Sequence, residues 1–439
     1  MSIPKKVLAE CKKRGADDAI VSLERLQTSQ VKFSNSKIIT TENVDNVGLS
    51  IFIAAKKRIV LTTLREFSEQ SALKSVKELM SFAKTLPKNK DYNGIAEGPF
   101  KYRKTPKYSL SIEQAATKGI KQASEAINKA AKLGAKRTAG VWETNYSTTE
   151  LNTSGGISAK EHGHSFYFSI RAFTAANNSG HSVCSATELK DLTVGNSIEE
   201  AITIAKMHSD PVKVTPGKYD VLFYPLAAAN LIDNAAQSAS IFAVESGMSF
   251  WADKLGKKVA SSNFTLYDDA SDDNGVGSRV FDAEGVPTRK VEIIGNGILK
   301  NYLHNTSTAK KYKTQTTASA GLISPEPVNL IVEGGNVNKD SIISEMASGL
   351  VVTNLWYTRF QNSATGDFST VPRDGLFLIK NGRLTPVKDA RISDNLASML
   401  MRVNKVCNDR QWIVGWEVSV PTKTPSLLIN EVRVSRSVD

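Results

Sequence analysis

Between Phe264 and Asn305 the chain alternates short apolar runs with turn-forming residues, and this stretch constrains the fold more than any other. Phe281-Asp-Ala-Glu-Gly285 places an apolar residue, two acids and a glycine ahead of Pro287, a composition that suits a strand entering a tight turn. Downstream, Val291, Ile293 and Ile294 on one side and Ile298 and Leu299 on the other flank Gly295-Asn296-Gly297. Two β-rich runs around Gly-Asn-Gly predict a hairpin.

At 439 residues the chain exceeds one ordinary core and predicts two or three domains. Hydrophobic residues make up 41% and charged residues 23%, which marks a globular chain and excludes disorder. The longest weakly charged stretch, residues 219–251, is broken by Asp220, Asp233 and Glu245, so no spanning helix is expected. The first fourteen residues alternate charge without an apolar stretch, which predicts an amphipathic helix rather than a signal peptide. Cys11, Cys184 and Cys407 are odd in number and far apart, arguing for a reducing compartment and against a disulfide framework or zinc knuckle. The expected location is the cytoplasm.

The net charge of +12 is unevenly spread. Residues 1–215 hold 32 Lys/Arg against 21 Asp/Glu, whereas the rest hold 24 against 23. The surplus gathers at Lys56-Lys57-Arg58 and between Lys84 and Lys107. Such a footprint suits nucleic acid or an acidic partner. Aromatic residues are not interleaved with the lysines, however, so single-strand binding is disfavoured and solvated lysine-rich faces are the simpler expectation.

Coarse patterning gives the organisation. Short β-rich runs fall at 19–23, 30–33, 38–41, 47–53 and 58–62, before a helix at 68–85 that Ser68 opens. Residues 87–106 look like a long irregular connection. The next helix carries Ile112, Ala116, Ile120, Ala123, Ile127 and Ala130 on one stripe, with Ser111 as cap and Gly134 as stop. Strands follow at 138–146, 147–152 and 165–175, then a helix at 197–208. Pro211 and Pro216-Gly217 divide the chain into an N-terminal α+β domain (1–215) and a C-terminal, mainly β domain (216–439). The latter opens with a strand at 219–224 and a long Ala-rich helix at 226–250, with later helices at 339–346 and 396–406. Helices segregate from strands, so the expected class is α+β.

Few constellations offer chemistry. His162 and His164 would share one strand face, yet no third ligand lies within sequence reach, and an exposed strand pair is the simpler expectation. Asp268, Asp269, Asp272 and Asp273 miss the alternate spacing of a calcium loop and suggest a solvated turn. Ser154-Gly-Gly and Asn274-Gly-Val-Gly lack the strand–loop–helix setting of a phosphate cradle. His304 stands alone and is expected to be structural. No Gly-x-Ser-x-Gly elbow or Cys-x-x-Cys pair occurs.

A set of short motifs resembles the TldD/PmbA family, the so-called modulators of DNA gyrase, in order and spacing along nearly the whole chain. They are Val31-Lys-Phe-Ser-Asn-Ser-Lys-Ile38 with Gly48-Leu49, Asn152-Thr-Ser-Gly155, Pro216-Gly-Lys-Tyr-Asp-Val221 and the 264–305 core. Val332-Glu-Gly-Gly335, Thr365-Gly-Asp-Phe-Ser369, Ile379-Lys-Asn-Gly382, Ile392-Ser-Asp-Asn395 and Pro425-Ser-Leu-Leu428 complete it.

The resemblance implies a two-domain fold, a ring-like dimer around a peptide site, and metallopeptidase chemistry in the catalytic members. Those members carry His-Glu-x-x-x-His on the helix after the Pro-Gly-Lys strand, with a cysteine near the C-terminus. Two imidazoles and a thiolate leave one metal position open for water. Here the matching positions are Asp233-Asn234-Ala-Ala-Gln-Ser238, and the cysteine position falls near Trp412-Ile413, with Cys407 upstream. The resemblance therefore points to the PmbA (TldE) branch: no catalytic residue and no metal in this chain, and zinc in a TldD-like catalytic partner. That partner would form a heterodimer with it, a homodimer being the other possibility. Asp233, Asn234 and Ser238 would face the peptide chamber, with unfolded peptide as substrate and neither nucleic acid nor membrane as partner. Two alternatives remain open: a basic adaptor for DNA or a DNA-associated protein, and a self-sufficient metallopeptidase with unrecognised ligands.

Overall fold

Six strands of the first half form one antiparallel sheet in the order β3-β2-β1-β4-β5-β6. The computed structural model describes residues 2–105 and 112–436. The strands are β1 (Asp18–Ser34), β2 (Lys37–Ala55), β3 (Arg58–Leu64), β4 (Arg137–Thr153), β5 (Ser158–Phe173) and β6 (Ser179–Ala186). Helices α1 (Ile3–Lys13), α2 (Glu69–Ala83), α3 (Ile112–Lys132) and α4 (Val194–Met207) accompany them. The short runs expected at 19–23 and 30–33 are one continuous 17-residue strand, and those at 38–41 and 47–53 belong to a 19-residue strand. Residues 24–29 show no apolar alternation, but they pair with β2 on one side and β4 on the other, which keeps them extended. Likewise 138–146 and 147–152 are one strand.

All four helices pack on one face of this sheet. Val7 and Cys11 of α1 and Ala72 and Val76 of α2 meet Val21, Leu49 and Ile51. Ala123, Ile127 and Ala130 of α3 meet Trp142 and Phe168, together with Ile198, Ala201 and Ile202 of α4. Ser68 caps α2 in a capping box with Ser71, as its sequence predicts. Ile120, placed on the buried stripe of α3 by its spacing, is instead 45% exposed. The Ser111 cap and the side chains of Ile112 and Ala116 lie outside the described residues.

From residue 212 onward the chain runs β7 (Val212–Lys213), β8 (Gly217–Phe223), α5 (Pro225–Gln237), α6 (Ile241–Glu245), β9 (Leu266–Asp269), β10 (Lys290–Gly295) and β11 (Ile298–Leu299). There follow α7 (Thr306–Lys311), β12 (Leu330–Val332), α8 (Lys339–Glu345), β13 (Ser348–Val352), β14 (Leu355–Asn362), β15 (Asp367–Pro372) and β16 (Leu376–Lys380). The last elements are β17 (Arg383–Lys388), β18 (Ala390–Asn395), α9 (Leu396–Met401), β19 (Val403–Val406), β20 (Gln411–Gly415), β21 (Val418–Thr424) and β22 (Leu427–Arg436). One sheet has the order β11-β10-β9-β12-β21-β20, and a larger one runs β14-β15-β18-β22-β8-β13-β16-β17-β7 with β19 beside β22. The architecture is α+β, as expected.

The hairpin predicted at Gly295-Asn296-Gly297 joins β10 to β11, with φ of 48° at Asn296 and 81° at Gly297, the left-handed pair such a turn requires. The turn before Pro287 is also present: Phe281 bridges Pro287, and Gly285 takes a φ of 86°.

One expectation fails at the helix after β8. It stops at Gln237 rather than continuing to residue 250, and α6 follows after a break. The backbone of 239–241 is drawn sideways to Leu303: Leu303 N donates to Ala239 O (2.8 Å) and Ile241 N donates to Leu303 O (3.2 Å). Ser240 Oγ donates to Pro325 O (2.7 Å), so the break is tied on both sides. The helix expected at 396–406 is shorter too, giving way to β19.

Candidate functional site

Helix α5 is seated by Pro225 in its first turn, and Ala227, Ala228, Leu231, Ile232, Ala235 and Ala236 bury it in the core shared by both C-terminal sheets. Its remaining stripe is polar. Asn230 Nδ2 donates to Glu417 O (2.9 Å), and Thr358 Oγ1 donates to Asn230 Oδ1 (2.7 Å). One turn on, Asp233 Oδ2 accepts from Ser419 N (2.7 Å) and Ser419 Oγ (2.9 Å). Burial pushes the Asp233 carboxyl upward, and the Ser419 bonds oppose that rise. Asn234 Nδ2 donates to Asn230 O (2.8 Å), and Ser238, buried at the helix end, accepts through its carbonyl from Ser249 Oγ (2.7 Å). The polar stripe thus fastens α5 to β14 and β21.

This donor set does not suit a zinc ion. The Asp233 carboxylate already serves Ser419, Asn234 and Ser238 offer only neutral groups, and neither imidazole nor thiolate is present on the helix. Ile413 of β20 is fully buried among Val183, Ala229 and Val418, an apolar cluster one turn before Asp233. Cys407 lies in a separate core with Leu222, Ile343 and Phe377, where burial pushes its thiol up to about 12 and keeps it protonated. Among the described residues no group of three or more His, Cys, Asp or Glu is placed to hold a metal.

Another opening lies between the two halves of the molecule, against the face of the N-terminal sheet opposite α1 to α4. It is a cleft of about 470 Å³. Strand alternation on β5 builds it. Ala159 packs with Phe281 and Val286 at one end; Glu161, Gly163 and Ser165 line the cleft; and farther along the same face of β5, outside the cleft lining, Arg171 pairs with Asp374. In that pair Arg171 Nε lies 2.9 Å from Asp374 Oδ1, and Arg171 Nη2 donates to Asp374 Oδ2 (3.0 Å). Ser179 Oγ also donates to Asp374 Oδ1 (2.9 Å), and Asn354 Nδ2 donates to its Oδ2 (3.2 Å). Burial works to raise the Asp374 carboxyl, but Arg171 and His181 outweigh it and hold it below its ordinary value. His181 bridges Ser169 Oγ (2.9 Å) and Asn354 Nδ2 (3.1 Å), and burial lowers its pKa. Asn354 donates to Nδ1, so Nε2 carries the proton and donates to Ser169; this tautomer cannot activate that hydroxyl as a nucleophile.

Other singled-out residues prove structural. His162 and His164 alternate onto the helix-bearing face, and His164 is buried edge-on against Phe166 at 4.6 Å, not exposed as expected. Asp268 is also buried rather than part of a solvated turn: its Oδ1 accepts from Val328 N and Asn329 N, both at 2.9 Å. His304 is buried near Thr308, 3.3 Å from Nδ1. In the basic run, Lys57 Nζ donates to Lys90 O and Arg58 Nε donates to Leu86 O, so part of it serves the fold.

The 264–305 core is held by buried acids. Asp282 Oδ1 accepts from Glu284 N (3.0 Å) and Val286 N (2.9 Å), and its Oδ2 accepts from Ala320 N (3.1 Å). Glu284 Oε2 accepts from Thr306 N (3.1 Å), and burial, reinforced by the Asp282 charge, pushes its carboxyl up to about 8 from an ordinary 4.5. The unfolded chain releases this proton above 4.5 whereas the folded chain keeps it, so stability falls as pH rises until the folded carboxyl also ionises near 8. Glu284→Gln keeps an acceptor for Thr306 and has no proton to lose. Its advantage over wild type should grow across that window to on the order of 2–4 kcal/mol, at about 1.4 kcal/mol per tenfold in proton affinity. Urea midpoints at pH 5 and pH 9 check this; parallel curves at both pH values would refute it.

Comparison with known proteins places this geometry. A family model described as the PmbA/TldA metallopeptidase C-terminal domain matches residues 216–436. A metalloprotease of Methanocaldococcus jannaschii is 33% identical over 211 residues, 46% of this chain and 46% of its own. The metalloprotease PmbA of Escherichia coli O157:H7 is 30% identical over 200 residues, 45% of this chain and 43% of its own. These matches span about half the length of the curated relatives. The crystal structure of TldE from Thermococcus kodakarensis superposes with a TM-score of 0.86 at 20% identity, covering 99% of this chain and 100% of the other, so the whole fold is shared.

Proposed function

The chain belongs to the PmbA/TldD family of metallopeptidases, and from that premise we propose that it is a non-catalytic subunit of a cytoplasmic complex that processes unfolded peptides. One observation carries the reading. Where catalytic relatives are expected to present His, Glu and His on α5 and Cys near the C-terminus, this chain presents Asp233, Asn234, Ser238 and Ile413, each engaged in the fold. No step of peptide hydrolysis is assigned to these residues. Their role is mechanical: the α5 stripe holds β14 and β21 in place, and β21 contributes Pro421 to the wall of the interdomain cleft. The chain then builds and holds the peptide chamber, and a TldD-like partner supplies the zinc and the activated water. Backbone hydrogen bonding to an extended peptide gives affinity with little sequence preference.

The isolated chain, equilibrated with zinc and dialysed, should retain only substoichiometric metal and leave denatured protein uncleaved. Stoichiometric zinc that disappears in Asp233→Ala would overturn the reading and favour a self-sufficient peptidase.

A further inference from the structure

The interdomain cleft holds two carboxylates set in register across three adjacent strands. Pairing aligns Glu24 of β1 with Thr149 of β4, and Thr149 with Glu161 of β5, so the three form one row across adjacent strands. Alternation turns all three toward the cleft, which they line with Ser147 and Gly163. The two glutamate backbones are about 10 Å apart, two strand spacings, with only a small threonine between. Glu161 accepts from Val280 N (2.7 Å) and is partly withdrawn from water, while Glu24 is exposed. Glu24 Oε1 also accepts from Ser22 Oγ (3.2 Å), and each carboxylate keeps acceptor capacity beyond its one bond. Gly163 beside the row leaves the floor open, since a Cβ there would approach Ser147 Oγ to 2.7 Å. On the facing wall Arg103 is spent on Asp273 and on the carbonyls of Ala270 and Arg279. Arg279 is exposed and makes no ion pair of its own among the described residues, while its charge, with that of Arg103, favours the ionised Glu161 against the desolvation of its burial.

A cleft of this size falls within the range of ligand sites. We propose that it binds an extended peptide segment through an organic cation seated over Thr149 between Glu24 and Glu161. The cation is a Lys or Arg side chain or a peptide's N-terminal ammonium. Arg279 meets carbonyl or carboxylate oxygens of the same segment from the opposite wall. The +12 protein thus selects cationic peptide by a local pair of acids, against its overall charge. The inference rests on the subunit reading only for the peptide nature of the ligand.

The test is fluorescence anisotropy with the purified full chain and a labelled, unstructured Gly-Ser peptide carrying one central Lys. Matched peptides replace that Lys by norleucine, acetylate the N-terminus, or do both. The Lys peptide should bind, and the peptide with both changes should bind at least about tenfold more weakly, the scale of one charge-assisted contact. The singly changed peptides show which ammonium is used. Glu24→Gln, whose side chain is exposed, should reduce affinity several-fold with an unchanged melting temperature; Glu161→Gln, which keeps an acceptor for Val280, should do likewise. Equal binding of all peptides, no binding of any, or no effect of either variant would overturn the proposal. Assembly with a partner is scored without peptide, so the subunit reading stands or falls separately.

Discussion

Ala235→Arg is expected to abolish the native fold or to cost on the order of 3–5 kcal/mol, the penalty of an uncompensated buried charge. Ala235 has no exposed surface and sits with Ile232, Leu231 and Ala239 in the core shared by both C-terminal sheets. A guanidinium there meets only apolar groups and has no path along the helix to water. Gln237, two residues on and exposed, is the control: Gln237→Arg should change the urea midpoint little. If both variants melt like wild type, α5 is not the buried helix described above.

The second large effect is expected at the Arg171–Asp374 pair. Arg171→Ala leaves the Asp374 carboxylate, 5% exposed, without its cation and should cost about 3–5 kcal/mol. Arg171 also stacks over Trp356, with 4.7 Å from guanidinium carbon to ring centroid, so packing is lost with the charge. Removing both partners in Arg171→Ala/Asp374→Ala should cost less than the arginine change alone, because no orphaned charge remains. Acid should weaken the same contact. The folded pKa of His181 is depressed below its ordinary 6.5, so the unfolded chain takes up a proton first as pH falls and stability is lost below that value. The depressed Asp374 adds to the loss at lower pH, as its charge is titrated away. Thermal melts of wild type and both variants from pH 7 to pH 4 measure this; additive losses would show that the two side chains do not interact.

What could be read from the sequence was what is decided locally. The Gly295-Asn296-Gly297 hairpin and the turn at Gly285 follow from residues that tolerate positive φ, and both are present. Ser68 announced α2 because a cap acts within one turn. Features decided by distant partners were not legible. Residues 24–29 stay extended only because β2 and β4 lie on both sides, and α5 ends where Leu303, more than sixty residues away in the chain, captures its backbone. The motif positions on α5 were found from their place in the sequence, but Ser419 as the partner of Asp233 could not be, since it lies 186 residues away. The Glu24–Thr149–Glu161 row has no linear signal at all. Sheet register assembles it, and β-strand alternation along β5 is the only trace of it in the sequence.

The central claim is that this chain serves a peptidase without being one. It is tested most directly by mixing the purified chain with a TldD-like partner that carries His-Glu-x-x-x-His, then following size exclusion and cleavage of an unfolded protein together. A larger co-eluting complex is expected, with peptidase activity above that of the partner alone and zinc only in the partner. Restoring His at 233 and 238 with Glu at 234 should not make this chain active by itself, because Ile413 supplies no third ligand. A partner fully active alone that never co-elutes with this chain would contradict the account.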